Sequence, residues 1–220
     1  MNLFAVLRDA WFFFSHNLLF IVRLCLPLIL VESGARLALG LWLGDADRSM
    51  HDMLAGMLFY PLYTGALILF LDARSRGMDV SPSQLLAMAL QRWLPLALLV
   101  ALSSLLIIIG ASLFILPGIW VMVKLAFAEF LLIQRGLTPL AAMKESFALT
   151  RGRFLPVLNC VLVVIMPLWL LSALASEGLS ADADPITGLA VDGLLGMGQL
   201  FGTVVFFRLF MMISSEPQKP

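Results

Sequence analysis

LPGIWVMVKLAFAEFLLIQRGLTPLAAMKESFALTRGRFLP, residues 116–156, decides the fold of this chain. Pro117-Gly118 reads as a tight turn. An apolar run to Ile133 follows, long enough to cross a bilayer as a helix. Gln134-Arg135-Gly136 is a basic exit, and Thr138-Pro139 suits the opening of a second helix, with a hydroxyl cap before a proline in the first turn. The basic Arg151-Gly152-Arg153 precedes another apolar run from Phe154. The passage predicts a hairpin turn, a spanning helix, a surface helix and a second span.

The whole chain agrees with that reading. Of its 220 residues, 61% are hydrophobic and 13% charged, and the mean hydropathy is +1.01. Soluble domains carry roughly 25% charged residues. Apolar runs at 18–43, 53–71, 94–115, 117–133, 154–175 and 189–213 predict six spans in one integral membrane domain covering 1–220. Assigning alternate loops to opposite sides puts Arg8, Arg74, Arg76, Arg92, Arg135, Lys144, Arg151, Arg153 and Lys219 on one face and Arg48 alone on the other. The other face also has Asp45, Asp47, Asp52, Glu177, Asp182 and Asp184. Basic residues are retained in the cytoplasm, so both termini are expected there. Five or seven spans would scatter this asymmetry. The N-terminus is not expected to be a cleavable signal, because Arg8 and Asp9 interrupt it and no small-residue cleavage site follows.

Each odd-numbered span is preceded by an amphipathic segment expected to lie in the interface. Leu3, Leu7, Ala10, Trp11 and Phe14 share a face of the first. Ser81-Pro82 opens the second, with Leu86, Leu90 and Trp93 aligned. Thr138-Pro139 opens the third, with Leu140, Met143, Phe147 and Phe154 aligned. The segments also expose a repeat. Arg76-Gly77 through Ser81-Pro82 parallels Arg135-Gly136 through Thr138-Pro139, and Arg92-Trp93-Leu94-Pro95 parallels Arg153-Phe154-Leu155-Pro156. The later copy is four residues longer between its landmarks, read as about one helical turn. With a degenerate copy over 1–71, the chain is an all-α membrane bundle of about three units, each a surface helix and two spans. Such symmetry is common in transporters and also arises by duplication in proteins that transport nothing.

Pro117-Gly118, Gln134-Arg135-Gly136, Ser146-Phe147-Ala148-Leu149-Thr150 and Phe207-Arg208-Leu209-Phe210, with the opening Leu7-Arg8-Asp9-Ala10-Trp11-Phe12-Phe13, resemble the YciC family of uncharacterised bacterial inner-membrane proteins. The pattern is more distantly similar to the membrane domain fused to some glycerophosphodiester phosphodiesterases, whose catalytic domain has no counterpart here. The resemblance implies a multi-pass inner-membrane location and this fold type. It implies no settled activity.

Arg23, Glu32, Arg36, Lys124, Glu129, Asp192 and Arg208 fall within the expected spans, where an unpaired charge near the centre costs at least about 2.5 kcal/mol. Arg23 and Arg208 lie near span ends and are expected to snorkel. Arg36, one turn after Glu32, is expected to pair with it. Lys124 and Glu129 stand on nearly opposite faces of one helix, so each must look elsewhere. Depth matches Lys124 to Glu32 or Asp192, and Glu129 to Arg23 or Arg208, as register-fixing pairs or as a proton or substrate path. Lys144, Arg151 and Arg153 are a candidate contact for anionic lipid headgroups.

No metal, cofactor or catalytic set is expected. His16 and His51 fall at opposite faces, Cys25 and Cys160 are read as small buried residues without a disulfide, and Ser103 and Ser104 as packing hydroxyls with no activating base. No HExxH, P-loop or GxGxxG occurs. The formal net charge of zero argues against a nucleic-acid partner. Gly193, Gly196, Gly198 and Gly202 leave a narrow surface for close helix approach, within the chain or in self-association. The expected role is non-enzymatic, in membrane or envelope homeostasis through contacts with lipids or other inner-membrane proteins. The competing class is a small transporter or lipid-handling protein with a polar intramembrane path, for which a cavity reaching Lys124 and Glu129 would be the signature.

Overall fold

The structure is a computed structural model that describes residues 3–43, 48–178 and 185–215. Asp45, Asp47, Asp182, Asp184 and Lys219 lie outside the described residues, as do the side chains of Arg48, His51, Asp52 and Glu177. The described residues form helices joined by short connections, with no strand. The chain is a polytopic bundle in three consecutive units: α1 (Leu3–His16), α2 (Leu18–Leu43) and α3 (Arg48–Ser75); α4 (Pro82–Gln91), α5 (Trp93–Leu113), α6 (Ile115–Leu125) and α7 (Ala128–Arg135); α8 (Pro139–Leu149), α9 (Phe154–Gly178) and α10 (Pro185–Ser215). Six stretches are long and apolar enough to cross a membrane, Leu18–Leu39, Met53–Ser75, Trp93–Leu113, Ile115–Arg135, Phe154–Leu174 and Val191–Ser215.

Local chemistry explains the basic ends of the units. At the end of α3, Gly77 takes a left-handed φ of +71°. Its N–H donates to the Arg74 carbonyl and that of Met78 to the Ala73 carbonyl, which satisfies groups the helix leaves unpaired. Gly136 ends α7 at φ +64°. At the start of α4, the Ser81 hydroxyl accepts from Gln84 N–H while the Gln84 side chain accepts from Ser81 N–H, a capping box.

The repeat has a physical use. Arg92, between α4 and α5, donates to the Ile133 carbonyl, two residues before the last of α7. Arg153, at the same point of the third unit, donates to the Ile213 carbonyl at 2.8 Å, two residues before the last of α10. Each arginine therefore fastens the start of one span to the negative end of the next. In the first unit this position is Asn17, which bonds its own helix at the Phe13 carbonyl. The corresponding carbonyl, Ala73, is already taken by Met78. The four extra residues of the third unit are not an added turn of helix: α8 is one residue longer than α4, and the remaining three form the Thr150–Gly152 bend, with Gly152 at φ +76°.

Two further expectations are corrected. The hairpin turn is Phe114, extended at φ −162° and ψ 156°, whereas Pro117 and Gly118 belong to the first turns of α6. Gly118 serves close packing, since a Cβ there would lie 2.9 Å from that of Ala111. The fourth span is not one continuous helix; it breaks at Ala126 and Phe127. The Ser146 hydroxyl inserts from α8, donating to the Lys124 carbonyl at 2.7 Å and accepting from Phe127 N–H at 3.2 Å. A side chain entering the i to i−4 ladder is a known cause of such breaks.

The surface helices follow the expected faces only in part. In α1, Val6 is buried with Ala10 and Phe14 while Trp11 is 61% exposed. In α4 the buried pair is Leu85 and Ala89, with Leu90 outside; in α8 it is Ala142 and Met143 beside Ser146, with Leu140 outside. These helices are apolar on both sides. Each buries an alanine against the bundle, Ala10, Ala89 and Ala142, and turns a large apolar residue outward, Trp11, Leu90 and Leu140, as suits a helix wedged between protein and lipid. Packing joins the three units in one core, to which α10 contributes Leu200, Val204, Val205 and Phe210. Gly196 meets Ile29 of α2, and Gly198 and Gly202 meet Leu168 and Val164 of α9, so these glycines serve approach within the chain.

Candidate functional site

The spanning charges separate into those that find a partner within the fold, one that is exposed, and those without a counter-charge. Arg36 pairs with Glu32 one turn away, as expected. The pair packs over Gly56 of α3, where a Cβ would meet the Glu32 carboxylate at 3.7 Å. Arg208 donates to the Asp9 carboxylate of α1 at 3.0 Å, and so does not reach Glu129. Arg23 is exposed and has no ion-pair partner among the described residues. Asp192 stands near enough to Glu32 for the two charges to interact, and does not meet Lys124.

Lys124 is accounted for by α8. Its ammonium lies 3.4 Å from the Thr150 carbonyl and 5.9 Å from the centre of the Trp120 ring. A cation at the carbonyl end of α8 is favourable. The expected partners Glu32 and Asp192 play no part. Of the candidate lipid-contact set, Lys144 and Arg151 are exposed, whereas Arg153 is committed to the Ile213 carbonyl.

Glu129, on the first turn of α7, is different. Its two carboxylate oxygens accept from one neutral donor, the Tyr60 hydroxyl, at 3.3 and 3.4 Å. Among the described residues no lysine, arginine or histidine pairs with it. It lines a chamber of about 190 Å³ whose other polar walls are Ser103, Thr203 and Tyr60. Ser103 is thus more than a packing hydroxyl, while Ser104 faces outward.

A second cavity of about 460 Å³ adjoins the first between α3, α9 and α10. Tyr60, Ile165, Thr203 and Phe206 line both. The larger space is mainly apolar, with Thr64, Ser172 and Gln199 among its few polar groups, and its rim includes Trp169, which is 67% exposed on the membrane-facing flank of α9. This size and mixture of walls are typical of small-molecule sites. Lys124 lines neither cavity, so the expected signature is met for one charge of the two.

Tyrosines 60 and 63 were not singled out from the sequence. They are the chain's two tyrosines, and the signal was their depth, because tyrosine in spanning helices favours the membrane surface. Their spacing of three puts both on one face of α3, with rings 5.6 Å apart at 78°. Tyr63 stands near the Glu32 carboxylate. The two rings thus stand between the Glu32–Arg36 pair and Glu129. Among the described residues no group of three His, Cys, Asp or Glu side chains is placed to hold a metal ion. Cys25 and Cys160 are buried free thiols. No protein-family model matches the chain, and no solved structure matches it.

Proposed function

We propose that the protein is a non-enzymatic, multi-pass protein of the bacterial inner membrane that takes an amphiphilic molecule from the surrounding lipid into the cleft between α3, α9 and α10. Its role on this reading is membrane or envelope homeostasis by lipid handling. One observation carries it: a cavity of about 460 Å³ lies at membrane depth, with apolar walls, a few convergent polar groups and a rim on the lipid-facing side. A solute from water would have to cross hydrocarbon to enter there; an amphiphile is already in place. The likeness to the YciC family supports the inner-membrane location. The basic surplus at one end of the bundle supports termini in the cytoplasm, where exposed Lys144 and Arg151 are suited to anionic headgroups at about 1 kcal/mol each.

The test is a lipid bearing a diazirine near the end of its acyl chain, photolysed with the protein in nanodiscs. Adducts are expected on cleft residues such as Leu195, Thr203 and Phe206, and Thr203→Trp should suppress them. Adducts confined to outward residues such as Leu98, Leu105 and Ile109 would overturn the reading.

A further inference from the structure

We infer that the smaller chamber is a headgroup site for a substituted ammonium, so that the amphiphile taken up is a cationic one, a long-chain amine or quaternary ammonium. This deepens the lipid-handling reading and rests on it.

The chemistry starts from Glu129. An ionised carboxylate offers about four acceptor positions, and one phenol reaching both oxygens at 3.3 and 3.4 Å leaves most of that capacity unused. Of the cations that could have answered it, Lys124 is engaged at Thr150, Arg92 at Ile133, Arg135 at Glu145 and Arg208 at Asp9, while Arg23 is exposed and does not line the chamber. An ionisable group at membrane depth without a counter-charge marks a functional site by default. The space in front of it is polar on one side, through Ser103 and Thr203, and aromatic on another, through Tyr60, Phe130 and Phe206. A carboxylate together with aromatic rings is the combination that receives an ammonium carrying alkyl groups, by charge and by cation–π attraction. A bare metal ion would find too few oxygen ligands, since Ca²⁺ takes about six to eight.

The adjoining cleft fixes the rest of the ligand. Tyr60, Ile165, Thr203 and Phe206 are walls common to both spaces, so a head beside Glu129 leaves its tail among Val164, Leu168 and Leu200. Neither cavity is lined by lysine or arginine, which leaves a phosphate or sulfate head without a partner. The two chambers thus select positive and reject negative heads.

The experiment compares three amphiphiles with the same dodecyl tail, dodecyltrimethylammonium, dodecyl maltoside and dodecyl sulfate, titrated against the protein in nanodiscs and followed by Trp fluorescence. The wild-type chain is expected to bind the ammonium at least about tenfold more tightly than the maltoside. Glu129→Gln should lose that preference and keep its affinity for the maltoside. Equal preference in both proteins, or none in the wild type, overturns the ammonium site while the cleft reading survives. Failure of all three to bind saturably removes the cleft reading itself. A second measurement uses the unaltered chain, so that folding of the variant is not at issue: dicyclohexylcarbodiimide should modify Glu129, and dodecyltrimethylammonium should slow this where dodecyl maltoside does not. The reagent takes the protonated carboxyl, so the reaction is run at mildly acid pH; a Glu129 unmodified there, or a rate unaffected by the ammonium, overturns the proposal.

Discussion

Glu32 and Glu129 are two carboxylates inside spanning helices, and their surroundings are opposite. Glu32, 4% exposed, has Arg36 on its own helix and Tyr63 across from it. Glu129 has the Tyr60 hydroxyl and an open chamber. The first is complete without a ligand. The second is not, and the contrast separates a charge that holds the bundle together from one held ready by it. Lys124 belongs with Glu32 in this division, because the Thr150 carbonyl and the Trp120 ring give it a structural place.

The comparison can be strained first at Arg36. Arg36→Ala leaves the Glu32 carboxylate buried without its cation, and a loss of about 3–5 kcal/mol is expected in unfolding by sodium dodecyl sulfate in mixed micelles. Replacing both residues by leucine should restore most of it. A cost near zero for the single change would erase the distinction between the two carboxylates. Next come the two arginine fasteners. Arg92→Ala and Arg153→Ala should each cost about 1.5–3 kcal/mol, the range for hydrogen bonds to charged groups, while Asn17→Ala costs about 1 kcal/mol or less. Equal costs at all three sites would show that the first unit is fastened in the same way as the others.

Ser146→Ala should cost about 1 kcal/mol, as polar contacts between membrane helices do. Amide exchange at Phe127 should rise with it, since that N–H loses its acceptor. Unchanged exchange would mean that the break persists without the hydroxyl. The smallest change in stability is expected at Glu129→Gln, less than about 1 kcal/mol, because the amide oxygen still accepts from Tyr60. That variant should be ordinary as a folded protein and altered as a binding one.

The spans were legible because hydropathy is a local property. The first was expected at 18–43, and α2 runs Leu18–Leu43. The Ser81 cap and the Arg92 and Arg153 landmarks were likewise readable from neighbouring residues and from the repeat. The break in the fourth span was not, because no proline or glycine marks it and its cause, Ser146, lies nineteen residues from Phe127. The faces of α1, α4 and α8 were legible only in part for a related reason: Ala10, Phe14 and Met143 are buried, while Trp11, Leu90 and Leu140 lie outside. When both sides of a helix are apolar, periodicity does not say which side meets protein, and the small residues Ala10, Ala89 and Ala142 decide it by close approach. Depth along a span paired Lys124 and Glu129 with the wrong partners, since matching depth says nothing of the direction in which a helix faces. What the sequence did isolate was that these two residues needed an explanation. The folded chain supplies one for Lys124 and leaves Glu129 facing a cavity.

The most direct measurement is a crystal structure grown from a lipidic mesophase with dodecyltrimethylammonium present. We expect its head beside the Glu129 carboxylate, its tail along Thr203, Phe206 and Leu168, and Arg36 still on Glu32. Both chambers closed by repacked side chains, with the amphiphile found only on the outward faces of α5 and α9, would contradict the central claim.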